Sequence, residues 1–342
     1  MKFTQIDIDR YFDRIHLPLN IRQKFEHSAG GTDPECQLQA LTSLLHYHLG
    51  AIPYENSSLH YSRHQAIELT VASIYEKIVH RGHGGVCTQV NTLFSELLIA
   101  LGYKLYTTAA RVNRAASAAA VNNNSAKTRF GTLSHMLIIV DINGQEYLVD
   151  AAFGPHAPTV PVPMKEGLEF TDMGSRRGRL ISAPLDQHRA QHLKHWRLQF
   201  RWKEESIWMD SYAFSEIEFT SNDYHALERQ AKTDRRMWFM TRVMAFRHLL
   251  DKESAAPIGF IMLWENELRR KVHGHYETLD LHSEEERISV LENLFGVFLD
   301  DDEKAEIIGT VSYIKPKPRT SCTVLRRSSG NDVENTEIKS RL

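Results

Sequence analysis

Nucleophilic catalysis needs a side chain that can carry negative charge and a base that takes its proton. The stretch Arg81-Gly-His-Gly-Gly-Val-Cys87-Thr-Gln-Val-Asn91 supplies the first. Beyond the glycines, Val90, Phe94, Leu97, Leu98 and Leu101 recur at the spacing of an amphipathic helix, and Gly102 marks its C-terminal stop. The pattern predicts Cys87 in the first turn, where unpaired backbone N–H groups and the positive end of the helix dipole favour an anion and so stabilise a thiolate. Gly82, Gly84 and Gly85 are expected to let the chain turn sharply and to leave room for a substrate at the sulfur. The plainer reading of the same residues is a structural cysteine beside a glycine-rich turn. A base has to decide between the two.

The segment Met136-Leu-Ile-Ile-Val-Asp-Ile-Asn-Gly-Gln-Glu-Tyr-Leu-Val-Asp150 offers that base, because Asn-Gly between alternating apolar runs is the signature of a two-residue type I′ hairpin. With Asn143 and Gly144 as the loop, Ile142 faces Gln145 and Leu137 faces Asp150. His135 stands two residues from Leu137 on the same strand. Side chains alternate with period two, so His135 and Asp150 project from one face as diagonal neighbours, about 7–8 Å apart at Cα. An imidazole and a carboxylate can bridge that gap. Cys87, His135 and Asp150 are therefore the candidate catalytic triad, resembling that of a cysteine protease: a nucleophile, a base, and a carboxylate that fixes the ring's tautomer.

The elements that must position these groups change character along the chain. Helical spacing dominates the first hundred residues, with Tyr11, Phe12 and Ile15 in a segment from Asp9 to Leu17, and Leu38, Leu41, Leu44 and Leu45 in one from Leu38 to His48. The pattern breaks at Pro53. From Leu105 strand-like runs take over, including Gln145 to Asp150 and His195 to Trp202. The last third is mixed, and Ser283-Glu-Glu-Glu286 reads as a capping box opening a helix whose apolar face is Ile288, Leu291, Phe295 and Phe298. Arg114 to Lys127 and Arg326 to Leu342 carry too few large apolar residues to be assigned an element.

Composition narrows the function classes. The net charge of −2 is too small to drive binding to nucleic acid or to an acidic membrane surface. Neither a leader h-region nor an apolar run of membrane-spanning length stands out, which predicts a soluble, cytoplasmic chain. The three cysteines, Cys36, Cys87 and Cys322, lack C-x-x-C spacing and fit a reducing compartment. The 18 histidines include pairs at His46 and His48, His192 and His195, and His273 and His275, but none has the spacing of a full ligand set, so no metal is expected.

Four blocks in order resemble the arylamine N-acetyltransferase family, over about residues 5–325. Ile52-Pro-Tyr-Glu-Asn56 is similar to its I-P-F-E-N, and Gly84-Gly-Val-Cys87-Thr-Gln-Val-Asn91 to its R-G-G-x-C-x-[EQ]-x-N. Ser134-His135-Met136 with Tyr147-Leu-Val-Asp150-Ala-Ala-Phe153-Gly154 matches its T-H-M and Y-L-V-D-x-G-F-G strands. Ser283-Glu-Glu-Glu-Arg287 through Leu294-Phe295-Gly296 matches its C-terminal helix. The resemblance implies an α+β fold: a helical bundle (1–104) carrying the nucleophile, a central β-barrel (105–212) carrying His135 and Asp150, a C-terminal α/β lid (213–325) and a free tail (326–342). It further implies that Phe153 lines the acceptor pocket with Tyr54 sharing its wall, and that Gly154 lies close to CoA.

The departures are specific. His83 stands where the family commonly has Arg, with Arg81 expected to compensate in charge; Ala152 replaces a usual Gly and adds a methyl beside the pocket. Arg229 to Arg235 occupies the place of a Ser/Thr-rich CoA loop and matches it poorly. Lys232, as an ammonium for phosphate, and Thr233, as a hydroxyl, are the expected CoA contacts there. The implied activity is transfer of a short acyl group from acetyl-CoA, or from malonyl-CoA or propionyl-CoA, through a Cys87 thioester to an arylamine or similar small amine, with no permanently bound cofactor. The alternatives are an amide-forming acyltransferase of secondary metabolism using a carrier-bound donor, and a cysteine hydrolase. The terminal Ser340-Arg341-Leu342 is similar to a peroxisomal address.

Overall fold

Thr4 opens the first helix of the computed structural model, which describes residues 1–26, 33–114, 128–202, 204–233 and 238–316. Its hydroxyl accepts the Asp7 amide while Asp7 accepts the Thr4 amide, a capping box that starts α1 (Gln5–Arg14) ahead of the apolar pattern at Asp9. The helix also stops before Leu17, although Ile15 and Leu17 remain buried. After α2 (Leu19–Glu26) and α3 (Pro34–Ala51), the break at Pro53 leads into a two-residue strand, β1 (Tyr54–Glu55). Then α4 (Val71–Tyr75) continues as a π-helical turn, Glu76–His80, into the glycine-rich turn and α5 (Cys87–Ala100).

Eight antiparallel strands form a nearly closed, barrel-like sheet: β2 (Lys104–Asn113), β3 (Phe130–Ile142), β4 (Gln145–Val149), β5 (Val162–Pro163), β6 (Glu169–Asp172), β7 (Arg176–Ala183), β8 (His195–Arg201) and β9 (Met209–Phe214). Their order is β5-β4-β3-β2-β9-β8-β7-β6. The hairpin register is the expected one, with Ile142 opposite Gln145 and Ile138 opposite Val149. Asn143 and Gly144 both take the positive φ that a type I′ loop requires.

A second, five-stranded sheet has the order β1-β10-β11-β12-β13, with β10 (Met244–Leu250), β11 (Pro257–Trp264), β12 (Glu267–Val272) and β13 (His275–Asp280). Its edge strand β1 comes from the N-terminal helical stretch, which sequence periodicity did not foresee. Between the sheets, α6 (Ser221–Thr233) is helical through much of the stretch expected to be a CoA loop. The chain then adds α7 (Glu284–Phe295) and α8 (Asp301–Glu306).

Period-two alternation divides the core. On β3, Ile138 and Val140 join α3 and α5, whereas Leu137 and Ile139 point into the barrel side. On β11, Phe260 and Met262 meet the same helical core while Ile261 and Leu263 pack on α7. Ser283 caps α7 by accepting the Glu286 amide, but the reciprocal arm reaches His282, because Glu286 accepts that amide at 2.7 Å. Val290, Leu291 and Phe295 form the buried face. Phe298 does not join it and is 62% exposed, since the helix ends at Gly296 with φ +69° and the chain beyond leaves the helical track. Residues 115–127 of the polar insertion and all of 326–342, with Cys322, lie outside the described residues. No helix among the described residues is long and apolar enough to cross a membrane.

Candidate active site

Cys87 is the first residue of α5, after Val86 in extended conformation, and is 5% exposed. The loop before it is held from two sides. Gly85 accepts the Glu55 amide at 2.9 Å and donates to Pro53 O at 3.2 Å, laying β1 along the glycine turn. Arg14 of α1 donates to Gly82 O at 2.6 Å and to His83 O at 3.3 Å. A Cβ on Gly84 would lie 1.9 Å from Pro53 O, and one on Gly85 would lie 2.8 Å from Gln89 Oε1. These two glycines therefore serve the close approach of the protein's own chain, not space for a substrate as expected. Gly82, with φ +75°, makes the turn.

His135 lies on β3 beside an irregularity in its pairing with β2. Ala110 faces His135 and Arg111 faces Leu133, so Ser134 is an extra residue on β3. Such a bulge re-aims the neighbouring side chains, and the Ser134 carbonyl comes 3.8 Å from Cys87 Sγ. His135 Nε2 is 2.8 Å from Asp150 Oδ2, with the side chains 2% and 0% exposed. Burial opposes the imidazolium, but the Asp150 charge and hydrogen bond, helped by the adjacent Cys87, outweigh it and raise the ring's pKa. Phe153, half-buried, lies with its ring centroid 4.6 Å from that of His135, and Tyr212 lies 5.5 Å from it. Cys87, His135 and Asp150 are thus brought together, and Phe153 lies against them.

Asn91, one turn along α5 from Cys87, ties the parts to one another. It donates to Met136 O at 2.9 Å, accepts the Ala151 amide at 2.9 Å, and reaches Asp150 Oδ1 at 3.5 Å. Asp150 Oδ1 also accepts the Ala152 amide at 3.1 Å. Ala152 itself is buried in the helical core. In the sequence motif, the i,i+4 relation of Asn91 to Cys87 is the one signal of this role.

Tyr54 is buried on β1 among these groups. Burial raises its hydroxyl pKa well above the usual value, and the charges of Cys87, Glu228 and Asp150 add to the effect. Gly154 has φ +99°, and a Cβ there would lie 4.0 Å from the Phe246 ring. Thr233 is exposed at the end of α6, and its hydroxyl donates to Arg229 O and Gln230 O of its own helix. The Lys232 side chain and residues 234–237 lie outside the described residues.

The expected charge compensation by Arg81 is not what the fold uses. Arg81 pairs at the surface with Glu303 at 2.8 Å, and buried His83 contacts Phe298 O at 2.7 Å. The cation beside the buried Glu55 is Lys77, at 2.8 Å. Burial pushes the Glu55 carboxyl up, but Lys77 and His83, with hydrogen bonds from Lys77 and Ser57, bring it down to about 2. Asn56 completes the junction with the second sheet, donating to Phe239 O and Arg242 O and accepting the Met244 amide. Among the described residues no group of three or more His, Cys, Asp or Glu could hold a metal ion.

Residues 37–304 match the family model described as N-acetyltransferase. The chain is 31% identical over 319 residues to the N-malonyltransferase FDB2 of Fusarium pseudograminearum (strain CS3096), covering 89% of this chain and 92% of that protein. Solved structures share the fold. The arylamine N-acetyltransferase from Salmonella typhimurium gives a TM-score of 0.69 at 23% identity, covering 89% of this chain and 97% of that one. The Mycobacterium marinum arylamine N-acetyltransferase in complex with CoA gives 0.66 at 24% identity, covering 87% and 97%.

Proposed function

The chain belongs to the arylamine N-acetyltransferase family and is an acyltransferase, and from that premise we propose that it moves a short acyl group from acyl-CoA to a small amine through a thioester on Cys87. The observation that carries this reading is the alignment of Cys87 at the start of α5 with His135, itself held by Asp150 at 2.8 Å. The Cys87 thiolate attacks the donor's carbonyl carbon. A new C–S bond forms, the bond to the CoA sulfur breaks, and the leaving thiolate takes a proton from His135. An amine then attacks the acyl-cysteine: a C–N bond forms, the C–S bond breaks, and His135 receives the amine proton. Asp150 fixes the ring for both transfers.

Phe153, against His135, supports an aromatic wall for the acceptor, with Tyr54 as a second, more deeply buried wall residue. Gly154 and the end of α6 with Lys232 and Thr233 are assigned to the CoA side by their positions in the family pattern. Similarity to an N-malonyltransferase over 89% of the chain puts malonyl-CoA first among the donors to test, ahead of acetyl-CoA and propionyl-CoA. The matching location is the cytoplasm.

Incubation with each donor alone, followed by intact-mass analysis, should give the corresponding acyl adduct on wild type and none on Cys87→Ala. Adding an aromatic amine should discharge the adduct as an amide. Absence of any Cys87-dependent adduct on folded protein sinks the proposal, and discharge to water alone at the same rate replaces it with the hydrolase.

A further inference from the structure

Helix α6 packs on β3 and is tied to the first turn of α5, and one of its carboxylates has no part in the triad. Tyr224 and Glu228 stand one turn apart on the same face. Tyr224 packs with Met136 of β3 and donates its hydroxyl to Thr108 O at 3.1 Å. Glu228 Oε1 accepts the hydroxyl of Thr88, the residue next to Cys87, at 2.5 Å. Glu228 faces Thr88, the residue after Cys87 on α5, and Tyr54 of β1, which also feels the charges of Cys87 and Asp150; Tyr224, on the same helix as Glu228, feels that of Cys87. Among the described residues no cation pairs with it and its second oxygen has no hydrogen-bond partner. A carboxylate beside a thioester, with one oxygen anchored and the other open, suits a group that brings both positive charge and a removable proton.

We propose that Glu228 is the acceptor-side base, binding amines that arrive as alkylammonium ions and taking their extra proton, so that the enzyme accepts strongly basic amines as well as weakly basic anilines. The inference rests on the acyl-Cys87 reading. The ammonium gives one proton to the Glu228 carboxylate, which becomes the acid. The freed lone pair attacks the thioester carbonyl, the C–N bond forms, and the C–S bond breaks with its electrons on Cys87 sulfur. The second nitrogen-bound proton goes to His135, and Glu228 returns its proton to water. An aniline is neutral near pH 7 and has no extra proton to shed, so it needs no such group. Desolvation raises the Glu228 pKa and the Thr88 hydroxyl lowers it, which brings it nearer to the working pH of a general base.

The test compares 2-phenylethylamine with 4-methylaniline as acceptors for enzyme loaded with the donor that forms the adduct. In Glu228→Gln the ratio of kcat/KM for alkylamine over aniline should fall about 10- to 100-fold, the loss expected for a hydrogen bond to a charged group. A ratio within about threefold of wild type, or a wild-type enzyme that uses the aniline and not the alkylamine, overturns the proposal. Thr88→Val keeps the carboxylate but removes the hydroxyl that lowers its pKa, so the acid limb of the alkylamine pH profile should move to higher pH. A limb that stays in place overturns the proposal, even if Glu228→Gln fails to fold. Wild-type protein that forms no Cys87 adduct overturns instead the reading beneath it.

Discussion

Asn91 and Asp150 meet where α5, which begins at Cys87, touches the β3–β4 hairpin that carries His135: Asn91 Nδ2 is 3.5 Å from Asp150 Oδ1, and Asn91 Oδ1 accepts the next amide, that of Ala151, at 2.9 Å. The side chain is fully buried and also donates to Met136 O. Asn91, one turn from Cys87, thereby ties α5 to β3 and to the end of the hairpin that carry His135 and Asp150. Asn91→Ala would leave the buried Ala151 N–H unpaired and should cost about 2–4 kcal/mol by urea denaturation, with slower Cys87 acylation in the folded variant. A loss under about 0.5 kcal/mol would show that the knot does not hold the site.

How far the site was legible depends on sequence separation. The His135–Asp150 pair followed from a two-residue loop, which leaves the register no freedom, and Cys87 at a helix start followed from local glycines and periodicity. Ser134 as a bulge residue was not legible, since an extra residue is defined by what β2 offers opposite it. Glu228 carries no local signal for a similar reason: its partner Thr88 is 140 residues away. Periodicity alone carries the apolar face of α7 on to Phe298, whereas the backbone turns left-handed at Gly296. Gly84 looks like space for substrate in the sequence because only the fold brings Pro53 against it.

Asp150 Oδ2 lies 2.8 Å from His135 Nε2, and in the proposed mechanism it fixes the tautomer and orientation of the ring. Asp150→Asn keeps the size of the side chain but can donate to the ring where the carboxylate only accepts, so the imidazole loses its fixed tautomer. Cys87 acylation should slow by about 10³- to 10⁴-fold while the far-UV spectrum stays native. Stopped-flow or quenched intact-mass kinetics with the donor alone read this step separately from the amine step. An Asp150→Asn enzyme within about tenfold of wild type would remove the carboxylate from the mechanism.

Lys77 holds a charge rather than a substrate. Its ammonium lies 2.8 Å from Glu55, whose side chain is wholly buried on the strand beside the glycine turn. Lys77→Met leaves that carboxylate without its cation and should destabilise the protein by about 3–5 kcal/mol, the cost of an unpaired buried charge. Adding Glu55→Gln should recover a large part of the loss, because the orphaned charge is gone. Urea midpoints of the two single variants and the double variant give the coupling. A double variant whose loss equals the sum of the singles would mean that the two residues act independently.

Acid should weaken the fold through its buried histidines. Burial lowers the pKa of His48 and His248 to about 3, with Arg14 opposing a proton on His48, and Arg176 and His46 opposing one on His248. Burial likewise brings His46, His60 and His156 to about 4. Each folded value lies below the ordinary one near 6.5, so above pH 6.5 neither state carries the proton and nothing changes. Below it the unfolded chain takes up protons that the folded chain refuses, and stability falls as the pH drops from 6.5 towards 4. Each such histidine contributes roughly 1.4 kcal/mol per pH unit in that window. His135 works in the opposite sense: its raised pKa gives stability that is present below 6.5 and lost only as pH rises through the folded value, so it does not cancel the slope. Urea unfolding at half-unit steps from pH 7 to 5 should show a plateau above about pH 6.5 and a steady fall below it, and His248→Phe, whose ring can keep the packing against Phe246, should reduce the slope by about one histidine's share. A stability that is flat over this range, or a His248→Phe slope equal to wild type, would show that these imidazoles can be protonated without unfolding the protein.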